Sequence, residues 1–321
     1  MRLLVASPIH PDALEQLHAT HDVVLAVGAP EAELAAAAAD REAIIFRSGV
    51  TIGPAALAAP DLRLLVRAGS GLDNLDLELV RSRGIELHRI PGPGAQAVAE
   101  LTFGLMLGLA RGIVRADREL RAGHWIKSEL VGYNLRGKRL GIVGLGSIGT
   151  RVAQLGMAWG MRPLGIVDSP SEERRASFAE MGIDLVTFDE VLADADFLTL
   201  HVPLGSDTRN LIGAAELGRM KEGAYLVNIA RGGVVDEAAL YDALAPRGHL
   251  RGAALDVHVA EGEGKVSPLA ELPNVILTPH IGAQTIDAQE EIGREIVAII
   301  SRISGTGEDP ATMKTAAGDR T

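Results

Sequence analysis

Alternation constrains this chain most: short apolar runs, each one strand long, are separated by stretches with apolar residues at helical spacing, and the pattern occurs twice. In the first series, runs at residues 3–6, 23–27, 43–46, 64–68 and 85–87 alternate with helical patterns at 11–19 and the alanine-rich 31–39. A strand apolar throughout has to be covered on both faces, and an intervening helix returns the chain so that neighbouring strands run parallel. A second series opens at Lys138 and continues at residues 164–167, 197–200, 224–229, 252–257 and 275–277, which reads as six strands with helices between them. The cluster Ile90-Pro-Gly-Pro-Gly94 stands between the series as a hinge, and the pattern from Ala95 to Arg121 reads as one long connecting helix. A last helix over 284–304 returns the chain to the first series, and the polar tail 305–321 is expected to fray. The expected fold class is therefore α/β, with two doubly wound parallel-sheet domains. Residues 1–95 with 286–321 form one domain, and 96–285 are inserted as the other.

Composition then removes whole classes of function. A length of 321 residues is about two domains of chain. With no Cys there is no disulfide, no thiolate metal site and no cysteine nucleophile, so a reducing compartment is expected and no metal. The longest apolar run, residues 101–110, is far shorter than a membrane span, and the N-terminus has no signal-like stretch, so the chain is read as cytoplasmic with no membrane partner. A formal net charge of -11 repels nucleic acid at long range, so an anionic substrate has to be drawn in by individually placed arginines.

The sharpest motif is Gly144-Leu-Gly146-Ser-Ile-Gly149, which follows an apolar strand directly and opens a helical pattern. Glycines there permit a tight turn, close approach to a pyrophosphate and close seating of the helix on the sheet, while the helix N-terminus offers N–H groups to the anion. Asp168, after the next strand, can accept both hydroxyls of a ribose and repel a 2′-phosphate, so NAD is the expected cofactor over NADP. Arg174 and Arg175 are near enough in sequence to favour NADP if Asp168 points outward.

Three polar residues follow later strands, where ligands lie in open α/β sheets. Arg231 stands in Asn228-Ile-Ala-Arg231-Gly, Glu261 five residues past Asp256, and His280 in Thr278-Pro-His280-Ile-Gly. Each alone is more often a solvated side chain than a catalytic one. Together they supply what hydride transfer to or from a carbon bearing a hydroxyl requires: a proton carrier near neutral pH, a carboxylate to hold its imidazole, and a planar cation for a carboxylate or carbonyl.

At these residues the chain resembles the D-isomer-specific 2-hydroxyacid dehydrogenases, most closely the phosphoglycerate dehydrogenases. The likeness runs from about Ala43 to about Ile300 through Phe46-Arg47-Ser48, Arg67 through Asp76, Ala97 through Thr102, Gly123-His-Trp125, the glycine turn, His201-Val-Pro203, Asn228 through Glu237, Gly252 through Val257 and Thr278 through Ala283. The resemblance implies a flavodoxin-like substrate domain with an inserted Rossmann NAD-binding domain, and Arg231, Glu261 and His280 as the catalytic set. It implies that Ser147, Ile148, His201, Val202, Pro203, Ile229, Ala230, Asp256, Gly282 and Ala283 line the cofactor beside the glycines and Asp168. Gly69, Ser70 and Gly71 are implied to meet the substrate carboxylate through their backbone amides. Arg47 and Arg67, which flank that loop in sequence, are expected to read a second anionic group, with 3-phosphoglycerate the leading substrate. A homodimer built on the nucleotide domains and a short form without a regulatory domain are implied as well.

The chain departs from the family pattern at four places. The usual ribose-binding Asp falls at Val167, so Asp168 comes one residue late; Ser147 stands where many relatives have Arg or Lys; Gly262 follows Glu261 in place of the common Pro; and His258 replaces an aromatic residue. The alternatives are a glyoxylate or hydroxypyruvate reductase, a dehydrogenase of another 2-hydroxy acid such as a phosphonate, or a corepressor-like protein that binds NAD as a sensor. Formate dehydrogenase relatives carry Gln where Glu261 stands.

Overall fold

Two parallel sheets carry the molecule, one in each of two units into which the chain divides: Met1–Gly94 with the chain from Gln284 onward, and Ala95–Ala283. The computed structural model describes residues 1–69, 71–72 and 74–305. The tail expected to fray lies, beyond Gly305, outside the described residues, as does Ser70.

The first sheet is formed by β1 (Arg2–Val5), β2 (Asp22–Leu25), β3 (Ala43–Phe46), β4 (Leu64–Arg67) and β5 (Glu86–Arg89), with α1 (Pro11–Thr20), α2 (Glu31–Ala38), α3 (Pro54–Leu57) and α4 (Leu77–Ser82) between them. The strand order β2-β1-β3-β4-β5 is the flavodoxin-like one. Every residue of β3 and β4 is buried, because helices cover both faces of a parallel sheet. Alternate side chains divide between two cores: Leu4, Ile44, Phe46 and Leu65 pack with Leu34 and Leu57, while Leu3, Val5, Ile45, Leu64 and Val66 face the other way.

The helix expected over 95–121 is two helices. Here α5 (Gly92–Arg111) and α6 (Ile113–Arg121) meet at a bend of 63°. Gly112 sits at φ +61 between them, in the left-handed region, which ends α5. The sequence pattern conceals this break, since an isolated glycine is tolerated inside a helix. The hinge cluster is likewise shorter than expected: α5 already starts at Gly92, and Pro93 is accepted in the first turn because no intrahelical partner for its missing N–H exists there.

The second sheet has seven parallel strands where the sequence suggests six. They are β6 (Arg139–Val143), β7 (Arg162–Ile166), β8 (Asp184–Leu185), β9 (Phe197–Leu200), β10 (Tyr225–Asn228), β11 (Gly252–Leu255) and β12 (Val275–Leu277), with α7 (Ser147–Ala158), α8 (Glu172–Glu180), α9 (Phe188–Asp194), α10 (Ala214–Arg219) and α11 (Glu237–Leu244) interspersed. The added strand β8 has two residues, too few for a visible apolar run. Between β11 and β12 the chain forms a loop with one 3-10 turn, Pro268–Glu271, in place of the expected helix. The order β12-β11-β10-β9-β6-β7-β8 is the Rossmann order with one further strand, and it reverses direction between β6 and β9. The last helix, α12 (Ile286–Ser304), rejoins the first unit, where Ile292, Ile296 and Ile300 close the core of Leu3, Val5 and Ile45.

Candidate active site

The glycine turn leaves β6 at the reversal point. Gly144 has φ +97, and a Cβ on it would lie 2.6 Å from the His201 carbonyl oxygen; a Cβ on Gly149 would lie 2.0 Å from the Gly144 carbonyl oxygen. Side chains at either position would force the turn open. Gly146, by contrast, faces space with nothing within 4 Å of a built Cβ, and as N-cap of the twelve-residue α7 it has no side chain to cap the first-turn amides. Open space over uncapped N–H groups at a helix N-terminus fits a pyrophosphate, so the residues present suit a dinucleotide. Ser147 is exposed and Ile148 partly so at the start of the same helix.

His201, Val202 and Pro203 follow β9 and stand beside the turn. The His201 amide donates to the Val143 carbonyl at 2.8 Å, its Nε2 lies 3.0 Å from Thr199 Oγ1, and its Nδ1 is buried. Burial pushes the His201 pKa down to about 3, so the ring is neutral at neutral pH. Ile229 and Ala230 are buried after β10. Asp168 is exposed and accepts from Ser169 Oγ at 3.2 Å. Arg174 donates through Nη2 to the Leu145 carbonyl of the glycine turn at 3.1 Å.

The catalytic candidates follow three adjacent strands, paired in register at Asn228, Leu255 and Leu277. Asn228, 1% exposed, builds the first turn: its Oδ1 accepts from Ala230 N and its Nδ2 donates to the Arg231 carbonyl, both at 3.1 Å. Arg231 is partly exposed and donates through Nη1 to the Ala230 carbonyl at 2.6 Å. Glu261 and His280 are brought together, with His280 Nδ1 2.9 Å from Glu261 Oε2. Burial alone would raise the Glu261 carboxyl, but hydrogen bonds from His280 and from the His258 amide outweigh it and hold the carboxyl below its ordinary range.

Asp256, implied as a cofactor contact, is bonded within the protein. Its carboxylate is 1% exposed and accepts from Thr278 Oγ1 at 2.6 Å, Ile281 N at 2.9 Å and Gly282 N at 2.8 Å, while its carbonyl takes the His280 amide at 2.8 Å. These bonds hold His280 at φ +55, a conformation that costs a non-glycine residue roughly 1–2 kcal/mol. A Cβ on Gly282 would come within 3.2 Å of the same carboxylate, so that loop is packed tightly; Ala283 ends it. Glu237 plays a comparable part that nothing in the sequence signals, accepting from Val259 N and Ser267 Oγ at 2.8 Å each.

In the first unit, two of the implied substrate contacts are bonded within the protein. Arg67 is 2% exposed, and its Nε and Nη1 donate to the carbonyls of Gly71 and Ala68 at 2.9 and 3.0 Å, so it shapes the loop and presents no solvent-facing cation. The Gly69 amide, expected to meet a carboxylate, donates within the loop to the Arg67 carbonyl at 2.9 Å. Ser70 lies outside the described residues, and Gly71 is partly exposed. Arg47 is partly buried and donates through Nη1 to Gln289 Oε1 at 2.8 Å; burial lowers its pKa.

Residues 103–282 match the family model described as D-isomer specific 2-hydroxyacid dehydrogenase, NAD binding domain. A D-3-phosphoglycerate dehydrogenase of Methanocaldococcus jannaschii is 40% identical over 305 residues, 94% of this chain and 57% of that protein. The chain thus spans little more than half the length of such relatives. A hydroxypyruvate reductase of Thermotoga maritima is 40% identical over 250 residues, 77% of this chain and 79% of that protein. Among solved structures, a Thermus thermophilus protein is 34% identical with a TM-score of 0.85, covering 95% of this chain and 97% of its own. A D-lactate dehydrogenase of Aquifex aeolicus, solved with NAD and lactic acid, is 31% identical with a TM-score of 0.82, covering 95% and 96%. The reversed sheet with its glycine turn is an NAD-binding domain, and the chain that carries it belongs to the D-isomer specific 2-hydroxyacid dehydrogenase family.

Proposed function

We propose that the protein is an NAD-dependent dehydrogenase interconverting a small D-2-hydroxy acid and its 2-keto acid, with 3-phosphoglycerate the leading substrate. The observation that carries the chemistry is the His280–Glu261 pair beyond β12, beside the Arg231 turn that follows β10. NAD held at the Gly144–Gly149 turn would supply the hydride acceptor and donor. His280 uses Nδ1 on Glu261, which leaves Nε2 to take the hydroxyl proton in oxidation and return it in reduction. The Glu261 carboxylate fixes the ring's orientation through the contact at 2.9 Å. Arg231 offers a planar fork that binds a carboxylate and polarises the neighbouring carbonyl. Asp168 supports NAD over NADP through its charge.

The phosphoglycerate assignment is supported by the names of the relatives matched over 94% of this chain. A second reading, hydroxypyruvate reduction, has its own support: this chain covers 79% of the Thermotoga maritima reductase against 57% of the Methanocaldococcus jannaschii enzyme. The same proposal includes a cytoplasmic location, supported by the absence of cysteine, and a homodimer, supported by the apolar surface of α6 and the segment after it. Ile113, Val114 and Leu120 are 53%, 53% and 59% exposed, and Trp125 and Val131 are 79% and 83% exposed.

The test is a panel of D-2-hydroxy and 2-keto acids with NAD(H) and NADP(H), followed by reduced-nicotinamide absorbance. The highest kcat/KM is expected for the 3-phosphoglycerate pair with NAD(H), and His280→Ala should lose about 10²- to 10⁴-fold in kcat while still binding NADH. Preference for glyoxylate or hydroxypyruvate would move the assignment to the reductase reading. Retention of more than about a tenth of the rate by His280→Ala, too small a loss for acid–base catalysis, would overturn the catalytic role.

A further inference from the structure

The segments that carry Arg231, Glu261 and His280 meet at one residue for which the proton-transfer chemistry has no use. His258 lies between β11 and Glu261, and each part of it touches a different one of them. Its backbone N–H donates to Glu261 Oε1 at 3.1 Å. Its ring Nε2 lies 2.9 Å from the Thr278 carbonyl, two residues before His280. Its carbonyl oxygen lies against Gly232, the residue after Arg231, so closely that a Cβ on Gly232 would come within 1.8 Å of it.

A carbonyl only accepts, so Nε2 carries the hydrogen and donates. The contacts then close a ring: His258 N–H to Glu261 Oε1, Glu261 Oε2 to His280 Nδ1, and the chain from His280 back through Thr278 to the His258 imidazole. Both carboxylate oxygens of Glu261 are thereby held by different donors, one of them on the residue that anchors the opposite strand end. The remaining ring nitrogen, Nδ1, is buried and has no hydrogen-bond partner among the described residues. A buried polar atom left unsatisfied is destabilising, and an apolar ring of similar shape would avoid that cost. What the imidazole supplies and a phenyl ring would not is the donor to the Thr278 carbonyl.

We propose that His258 is a positioning residue for the dehydrogenase reaction: its ring N–H ties the His280 loop to the Glu261 loop and sets the geometry of the proton-carrying pair. The role rests on the catalytic reading above.

The test compares His258→Phe, which keeps the ring shape without the donor, with His258→Gln, whose amide can donate from a similar reach. The full-length enzyme is used with whichever of 3-phosphohydroxypyruvate, hydroxypyruvate or glyoxylate the wild type reduces fastest. Measured are kcat, KM, NADH affinity by fluorescence, and Tm. His258→Phe is expected to lower kcat by about ten- to a hundredfold, the scale of ångström-level misplacement of a catalytic group, with KM and NADH affinity little changed. His258→Gln is expected to restore most of the lost kcat. Should His258→Phe not fold, His258→Leu against His258→Gln makes the same comparison. Wild-type kcat in His258→Phe, or a His258→Gln variant as slow as His258→Phe, overturns the role while leaving the dehydrogenase reading intact. A wild type that turns over none of the three keto acids overturns both.

Discussion

Glu261 is held ionised by its partners against a burial that opposes ionisation. A carboxyl whose folded value is lowered adds stability above its ordinary titration range, and that contribution is lost as pH falls through the folded value. Glu261→Gln should therefore lower the denaturation midpoint most at neutral pH, with the gap to wild type closing below about pH 4, where carboxyls ordinarily titrate. Urea denaturation of both proteins across that range checks it, and a gap independent of pH would mean that the charge contributes nothing. That Arg231, Glu261 and His280 follow neighbouring strands was legible in the sequence, since strand ends can be read from apolar runs. The internal bonds of Arg67 and Asp256 were not legible, for the opposite reason. Whether a charged side chain turns outward to a ligand or inward to a carbonyl depends on neighbours supplied by distant parts of the chain, and no local pattern records it.

At the scale of elements, apolar runs located nearly every strand of both sheets. What they missed was β8, too short to form a run, and the break at Gly112, where one residue's dihedral angle divides a continuous helical pattern. The consequence of that break is α6, a helix that buries none of its residues. Large apolar side chains held half exposed on one short helix are unfavourable in water unless a partner covers them. Wild-type protein should therefore run as a dimer in size-exclusion chromatography with light scattering. Ile113→Glu combined with Leu120→Glu should run as a folded monomer, because a charge buried at an interface without a partner is costly. A monomeric wild type at micromolar concentration would sink the proposal.

At the scale of the molecule, the first unit is assembled from both ends of the chain, and the sequence showed this because a helical pattern followed the last strand of the second series. Ile296 is fully buried in α12 against Leu3, Val5 and Ile45. Truncation there removes apolar contact and leaves a cavity, so Ile296→Ala should cost about 2–5 kcal/mol in urea denaturation monitored on the first unit. A loss below about 1 kcal/mol would show that α12 is only loosely seated, since even Ile→Val costs about that much in a packed core.

That arrangement also orders events during synthesis. The ribosome finishes the whole stretch Ala95–Ala283 before it starts on the helix that covers the first sheet. At about 5–20 residues per second, the nascent first sheet waits roughly 10–40 s with one apolar face covered only in part, by α1, while the nucleotide-binding unit emerges and folds. The first sheet is therefore completed only after the second unit has been made, and for that interval its half-covered face is apolar surface on which a chaperone at the exit tunnel can act.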